Sequence, residues 1–243
     1  NGSGPQEFTA YNSAMYFQAN HNNYGKELFK YDGTSASLVQ DIHPTHYSNP
    51  EYLTVMGNKL YFQATDGTSG RELWVHDGIN TTLIDIYPGS NASIPTNLFA
   101  LGNDLFFQAT DGTSGRELWK YDGTNATLID INPGAGHSSP QRFVEFNSEL
   151  YFSADNGVNG IELWKYDGTN ATMVQDINVG SGNSLPQQFT VLGANLYFLA
   201  NDGVNGSELW KYDGNTASII DINQGIDGSN PNYLTVYNSE LYF

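Results

Sequence analysis

The chain has no cysteine, so no disulfide staples it and no thiol chemistry is open to it. The fold must stand on packing. Long apolar runs are also missing: none approaches the ~18–20 residues that a membrane-spanning helix needs. No segment carries helical periodicity over a window of about 11 residues or more. No secretory signal pattern opens the chain. It begins in a loop-like Asn1-Gly2-Ser3-Gly4-Pro5 and stops at Phe243 inside an apolar strand, so the expectation is processing or truncation. Basic residues are scarce, with Lys and Arg numbering 9 against 26 acidic residues, for a net charge of −17. That argues against nucleic acid and anionic membranes, both of which select basic footprints. It permits divalent cations and cationic partners. The chain is long enough to bury roughly 70–75% of its unfolded surface as a single domain.

What the chain has is recurrence. An aromatic pair falls at Tyr16-Phe17, Tyr61-Phe62, Phe106-Phe107, Tyr151-Phe152, Tyr197-Phe198 and Tyr242-Phe243, at intervals of 45, 45, 45, 46 and 45 residues. A Glu-Leu pair keeps the same phase at Glu27, Glu72, Glu117, Glu162 and Glu208, and Asp-Gly follows at Asp32, Asp77, Asp122, Asp167 and Asp213. Asp-Ile closes the units at Asp41, Asp85, Asp130, Asp176 and Asp221. Within a unit lie four short runs rich in Tyr, Phe, Val and Ile, bounded by Gly, Asn and Asp. In the second they are Tyr52–Val55, Lys59–Ala64, Glu72–His76 and Thr82–Ile86. These are strand and hairpin signals, with Asp-Gly at the turns.

Four strands per ~45 residues is the size of one propeller blade. In the third unit Leu105, Phe107 and Ala109 share one face of a strand while Phe106 takes the other. In the next strand Leu118 opposes Trp119 and Tyr121. Apolar groups on both faces suit a sheet sandwiched between two neighbours; a β-helix, the alternative, has shorter coils and a polar outer face. The fold class expected is all-β: a β-propeller of four-stranded blades spanning 6–42, 51–86, 96–131, 141–177 and 187–222. One extra hairpin of the first type follows at 231–243. Its sequence, Tyr233 to Phe243, repeats Phe8 to Phe17 in pattern. Three arrangements stay open: five blades with a spare hairpin, six blades with the last incomplete, or part of a longer array. Phe29, Trp74, Trp119, Trp164 and Trp210 are the expected inter-blade core, each Trp burying about 150–250 Å².

The unit Leu-Tyr-Phe-x-Ala-x-Asp-Gly-x-x-Gly-x-Glu-Leu-Trp-x-x-Asp-Gly-Thr resembles the ELWxxDGT repeat family. Residues 117–124 carry the motif in full; the first unit departs at Phe29, the second at Ile79 and the fifth at Asn215. The resemblance covers nearly the whole chain. It implies propeller-like repeats of large secreted or surface proteins, mostly bacterial, with no well-defined catalytic activity. Extracellular or cell-surface placement is therefore the expectation.

Candidate sites follow from the phase of the repeat. Asp66, Glu72, Asp111, Glu117, Asp130 and Asp202 fall in the turns and connectors that a blade places on one face. Hard cations take such oxygens, so a weak Ca²⁺ ring is one reading; turn geometry and Glu bonding to loop amides is the other. Beyond Ca²⁺ no cofactor is expected. Asn-x-Ser/Thr occurs at Asn1, Asn80, Asn91, Asn125, Asn170 and Asn205. Asn80, Asn125 and Asn170 share one hairpin position and would suit either a glycan or a turn. His21, His43, His46, His76 and His137 occupy different phases; only His43 and His46 share a loop, as a metal pair or as surface residues. Blade-lining aromatics would make sugar pockets, one per blade gap, or simply core. No HExxH, GxSxG or phosphate-cradling loop is present, and no unit gathers unlike catalytic groups, so the chain is not expected to be an enzyme. The function expected is a non-catalytic structural or adhesive repeat protein whose partners are other copies of itself. It would assemble into a fibre or surface layer by strand addition through the spare hairpin. A multivalent lectin that binds glycans is the alternative.

Overall fold

A computed structural model describes residues 2–243. Among them every regular element is a strand. Five antiparallel four-stranded sheets run in simple sequence order, and a two-stranded sheet follows. The first sheet is β1 (Gln6–Tyr11), β2 (Ala14–His21), β3 (Gly25–Tyr31) and β4 (Ala36–Gln40). The second is β5 (Glu51–Met56), β6 (Lys59–Thr65), β7 (Arg71–His76) and β8 (Thr81–Ile84). The third is β9 (Thr96–Leu101), β10 (Asp104–Ala109), β11 (Glu117–Tyr121) and β12 (Ala126–Ile129). The fourth is β13 (Gln141–Phe146), β14 (Glu149–Asp155), β15 (Ile161–Tyr166) and β16 (Ala171–Gln175). The fifth is β17 (Gln187–Leu192), β18 (Asn195–Asn201), β19 (Ser207–Tyr212) and β20 (Ala217–Ile220). The spare hairpin is β21 (Thr235–Tyr237) and β22 (Glu240–Tyr242).

Turn chemistry sets these boundaries. At the first hairpin turn Asn12-Ser13, Asn147-Ser148 and Asn238-Ser239 hold positive φ at both residues, the type I′ geometry that matches strand twist. Gly57, Gly102 and Gly193 stand at the first of these positions in the other units, with positive φ there alone, the type II′ solution. The closing turns are held by Asp side chains: Asp122 Oδ1 accepts the amides of Thr124 and Asn125 at 2.8 and 2.7 Å. Those amides hold the exposed carboxyl below the usual aspartate range. The fourth strand of the second unit stops at Ile84 rather than continuing to Ile86. The reason is chemical: the Ile86 amide leaves the ladder for a buried carboxylate, Glu72 Oε2, at 3.0 Å.

The chain divides into two compact units. One takes in residues up to Gly115 with Trp119–Leu128; the other takes Arg116–Leu118 with Ile129–Phe243. In the first unit, Tyr11, Tyr16, Leu28 and Ile42 of the first repeat pack with Leu60, Phe62, Ala64 and Trp74 of the second. Met56, Tyr61, Leu73 and Ile86 pack in the same way with Leu105, Phe107, Ala109 and Trp119. In the second unit, Phe146, Tyr151, Leu163 and Ile177 meet Leu196, Phe198, Ala200 and Trp210. One rule covers all three seams. The trailing face of a sheet offers a large apolar pair, Tyr11 with Tyr16, Met56 with Tyr61 and Phe146 with Tyr151. The leading face of the next sheet receives them with a Leu, Phe, Ala and Trp set. Both faces of a sheet are thus apolar, as the alternation in Leu105–Ala109 anticipates.

Candidate functional site

The most regular feature of the molecule is a buried glutamate in every repeat. Glu27, Glu72, Glu117, Glu162 and Glu208 are all solvent-inaccessible. Each lies within the first three residues of the third strand of its sheet and reaches into the connector that follows. Glu117 accepts from the amides of Ile131 at 2.9 Å, Asn132 at 3.3 Å and Ser138 at 2.8 Å, and from the Ser138 hydroxyl at 2.6 Å. Glu72 takes Ile86, the Ser93 amide at 2.7 Å and the Ser93 hydroxyl. Glu27 does the same with Ile42 and Ser48, Glu162 with Ile177 and Ser184, and Glu208 with Ile222 and Ser229. A buried carboxylate is tolerable only when its lone pairs are satisfied, and these are. The Ser carbonyl then hands on to the next sheet: the amides of Thr65, Thr110, Asp155 and Asn201 donate to the carbonyls of Ser48, Ser93, Ser138 and Ser184. The glutamate thereby ties one sheet's edge to its connector and the connector to its successor. Gly70 belongs to this closure, for a Cβ there would strike the Asn91 carbonyl.

Burial pushes the carboxyls of Glu27, Glu72, Glu117 and Glu162 above the ordinary glutamate value, which the Ser and amide donors offset only in part. At Glu208 burial acts in the same direction, but the donors from Ser229 and Ile222 outweigh it and the carboxyl lies low. A carboxyl whose folded-state value is raised adds stability below its unfolded value and loses it as pH rises through the folded one; a lowered carboxyl does the reverse. Glu117→Gln is therefore expected to cost more below the ordinary 4.5 than at neutral pH. Glu208→Gln is expected to cost more at neutral pH than in acid. Urea midpoints of both variants against the parent across that range check the opposite slopes; parallel slopes would contradict them.

The acidic turn residues are engaged as well. Asp66 Oδ1 accepts the amides of Thr68 and Ser69, both at 2.8 Å. Asp111 holds Thr113 and Ser114 in the same way, and Asp202 holds Val204 and Asn205. Burial would raise these three carboxyls, but the loop amides and side-chain donors win and hold them low. The structure thus gives Asp66, Asp111 and Asp202 partners in their own turns, and Glu72 and Glu117 partners in the connectors that follow. Among the described residues no three His, Cys, Asp or Glu side chains are grouped to hold a metal. We expect the melting temperature to be equal in EDTA and in excess Ca²⁺, because binding would have to displace those donors. A rise with Ca²⁺ would restore the ion.

Of the sequon residues, Asn80, Asn91, Asn125 and Asn170 are exposed. Asn205 is half-buried, and its amide nitrogen donates to Asp202 at 2.7 Å. Asn1 lies outside the described residues. His76 is buried between Tyr11 and Tyr16, with ring centroids 6.2 and 5.6 Å away; burial lowers its pKa. His43 and His46 lie with ring centroids 5.4 Å apart, and the His43 ring fills the space beside Gly67. Tyr87 and Asn178 fill the matching spaces beside Gly112 and Gly203. Position 43 is therefore a seam position.

The core tryptophans are buried, with Trp74, Trp119 and Trp210 donating their indole N–H to the carbonyls of Ala64, Ala109 and Ala200 at 3.1–3.2 Å. Trp164 is equally buried. Phe29 is buried too, at 9% exposed, and it also lines an apolar groove of about 460 Å³ with Phe8, Met15, Phe17, Tyr31 and Ala36. Beside it, a polar cavity of about 440 Å³ sits at the irregular first turn, among His21, Asn23, Tyr24, His46 and Tyr47. The spare hairpin is also open: Tyr237 is 64% and Tyr242 49% exposed.

No family model matches the chain, and neither does any curated protein. Solved structures do. A puromycin hydrolase mutant complexed with PGG matches over 90% of this chain and 38% of its own, at 13% identity and a TM-score of 0.57. The computationally designed Ika8 protein matches over 94% and 63%, at 16% identity and a TM-score of 0.53. The β-propeller domain of the Trilobed protease from Pyrococcus furiosus matches over 88% and 83%, at 11% identity and a TM-score of 0.42, too loose a likeness to bear on the fold. The chain spans less than two-thirds of the length of the first two. At these identities the likeness concerns the fold alone.

Proposed function

We propose that the five sheets are propeller blades of ELWxxDGT type and that the chain is a non-catalytic structural repeat protein of the cell exterior, assembling with copies of itself through the spare hairpin. One observation carries the assembly reading. The hairpin repeats β1 and β2, yet its Tyr237 and Tyr242 are open, whereas their counterparts Tyr11 and Tyr16 are 7% and 2% exposed. Exposed apolar rings on such a face are the kind that mark a protein–protein contact. The extracellular placement rests on the family resemblance. Exposed Asn80, Asn125 and Asn170 would accept glycans there, which the intact mass of native material reads. Deleting Tyr233–Phe243 is expected to leave a folded monomer and remove any larger species in sedimentation; a polymer of unchanged size would refute the assembly reading.

The cavity at the first turn supports a lectin as second reading. Tyr24 stacks on His21 at 4.8 Å, and amide side chains surround the pair, a combination that suits a sugar. A glycan array blank for the parent would remove that reading. The hydrolase activity in the name of a structural neighbour ranks below both. Each repeat spends its buried carboxylate on its own connector, and the chain covers only 38% of that protein.

A further inference from the structure

The three seams described above fix which face meets which. The position occupied by Leu60, Leu105, Leu150 and Leu196 is fully buried in each of those sheets, while its first-repeat counterpart Met15 is 38% exposed. Phe62, Phe107, Phe152 and Phe198 are likewise fully buried, while Phe17, their counterpart, lines the open groove. The groove is therefore an open face of the leading kind. The trailing face shows the converse at the other end of the sequence. Tyr16, Tyr61 and Tyr151 are 1–2% exposed, and Tyr242 is 49%. An open leading face on the first sheet and an open trailing face on the hairpin are of the two kinds that fit each other in the three seams.

We propose that the spare hairpin of one copy seats face-on against the leading face of the first sheet of a second copy, in the register of the internal seams. This rests on the assembly reading above and changes its mode. The internal seams join neighbouring sheets by their faces, through side chains, and not by strand pairing. Face packing is therefore the mode for which the chain contains a template. Thr9 Oγ1 donates to the Leu53 carbonyl at 3.1 Å, and Thr54 and Thr190 donate to the carbonyls of Leu98 and Leu234 at 3.3 Å. By the same offset Thr235 of one copy meets the Phe8 carbonyl of the next. Tyr11 Oη donates to the Asn58 carbonyl at 2.8 Å; Tyr237 then meets the Ser13 carbonyl. The groove floor of Met15, Phe17 and Phe29 receives the hairpin's rings. The interface is head-to-tail, so it propagates rather than closing as a two-fold dimer. With a net charge of −17 per copy, like-charge repulsion opposes it and added salt should strengthen it.

The test uses the full chain and two surface variants: a socket variant, Phe8→Glu with Met15→Glu, and a plug variant, Tyr237→Glu. The parent should associate with rising concentration in sedimentation velocity, more so at high salt, while each variant alone should lose every species above the monomer. Mixed, they should form a one-to-one dimer and stop, because only one junction between them is intact. That dimer also shows that both variants are folded. A monomeric parent at all concentrations overturns both this inference and the assembly reading. Loss of association on deleting Tyr233–Phe243 but not in the socket variant keeps the assembly reading and overturns the proposed socket. A mixture that stays monomeric, while the parent associates, overturns the head-to-tail pairing.

Discussion

Glu117→Ala is expected to lower the unfolding free energy by roughly 3–5 kcal/mol, the cost of removing one partner from a buried charged network. The side chain takes three amides and one hydroxyl. Alanine would leave the Ile131 and Ser138 amides unpaired in a space closed to solvent. Ser138→Ala should cost less, about 1–2 kcal/mol, because the carboxylate keeps its amides and loses one donor. The ordering matters more than either figure. If Glu117 were placed for a cation, its removal would matter only with metal present, and Ser138 would be neutral. Urea unfolding of the two variants, with and without Ca²⁺, separates these outcomes.

Trp119→Ala is expected to cost a similar amount, about 3–5 kcal/mol, the range for emptying a large aromatic site in a packed core. Trp119 packs with Tyr61, Leu73 and Phe107 and donates to the Ala109 carbonyl. Phe29 holds the same repeat position but faces the open groove. Phe29 is nearly as buried, at 9% against 7% exposed, so Phe29→Ala should cost somewhat less, since a smaller ring is removed and the space it leaves beside the groove can relax. Equal losses at the two positions would mean that the groove is filled in solution. Thermal or urea unfolding of both variants in dilute solution reads the difference.

Much of this architecture was legible in the 45-residue period. Asp-Gly and Asn-Ser pairs announce turns, and the Tyr-Phe and Leu-Trp alternation announces sheets apolar on both faces; the strand limits fall within a residue or two of those runs. Less legible was the first strand of each sheet, which carries an irregularity in its pairing. There Glu7, Tyr52, Asn97, Arg142 and Gln188 all take φ near +55 to +59°. Tyr and Arg give no hint of that conformation. A long-range bond helps hold it: the Tyr52 amide donates to Glu7 at 2.8 Å across 45 residues, and no local pattern encodes such a contact.

The role of the repeated glutamate was half-visible. Its phase was plain, and loop amides were one of two readings for Glu72 and Glu117. The clue to its partner is the Ser of the connector's Ser-x-Pro, which lies 21 or 22 residues on in every unit. Composition hides this, because Ser is common and the sequence does not show that the connector turns inward. The open groove was invisible for a different reason. Met15, Phe17 and Phe29 look like every other core set, and the sequence does not show that Met15 is 38% exposed or that all three line an open groove.

A buried glutamate locks each sheet to the connector that follows. Amide hydrogen exchange reads that lock at Ile42, Ile86, Ile131, Ile177 and Ile222, which lie outside the strands. If the lock holds, Ile42, Ile86, Ile131 and Ile177 exchange as slowly as the central strands of their own sheets, with Ile222 fastest of the five. If all five exchange at the rate of the exposed loops at Gly89 and Gly134, the connectors are not held by those carboxylates.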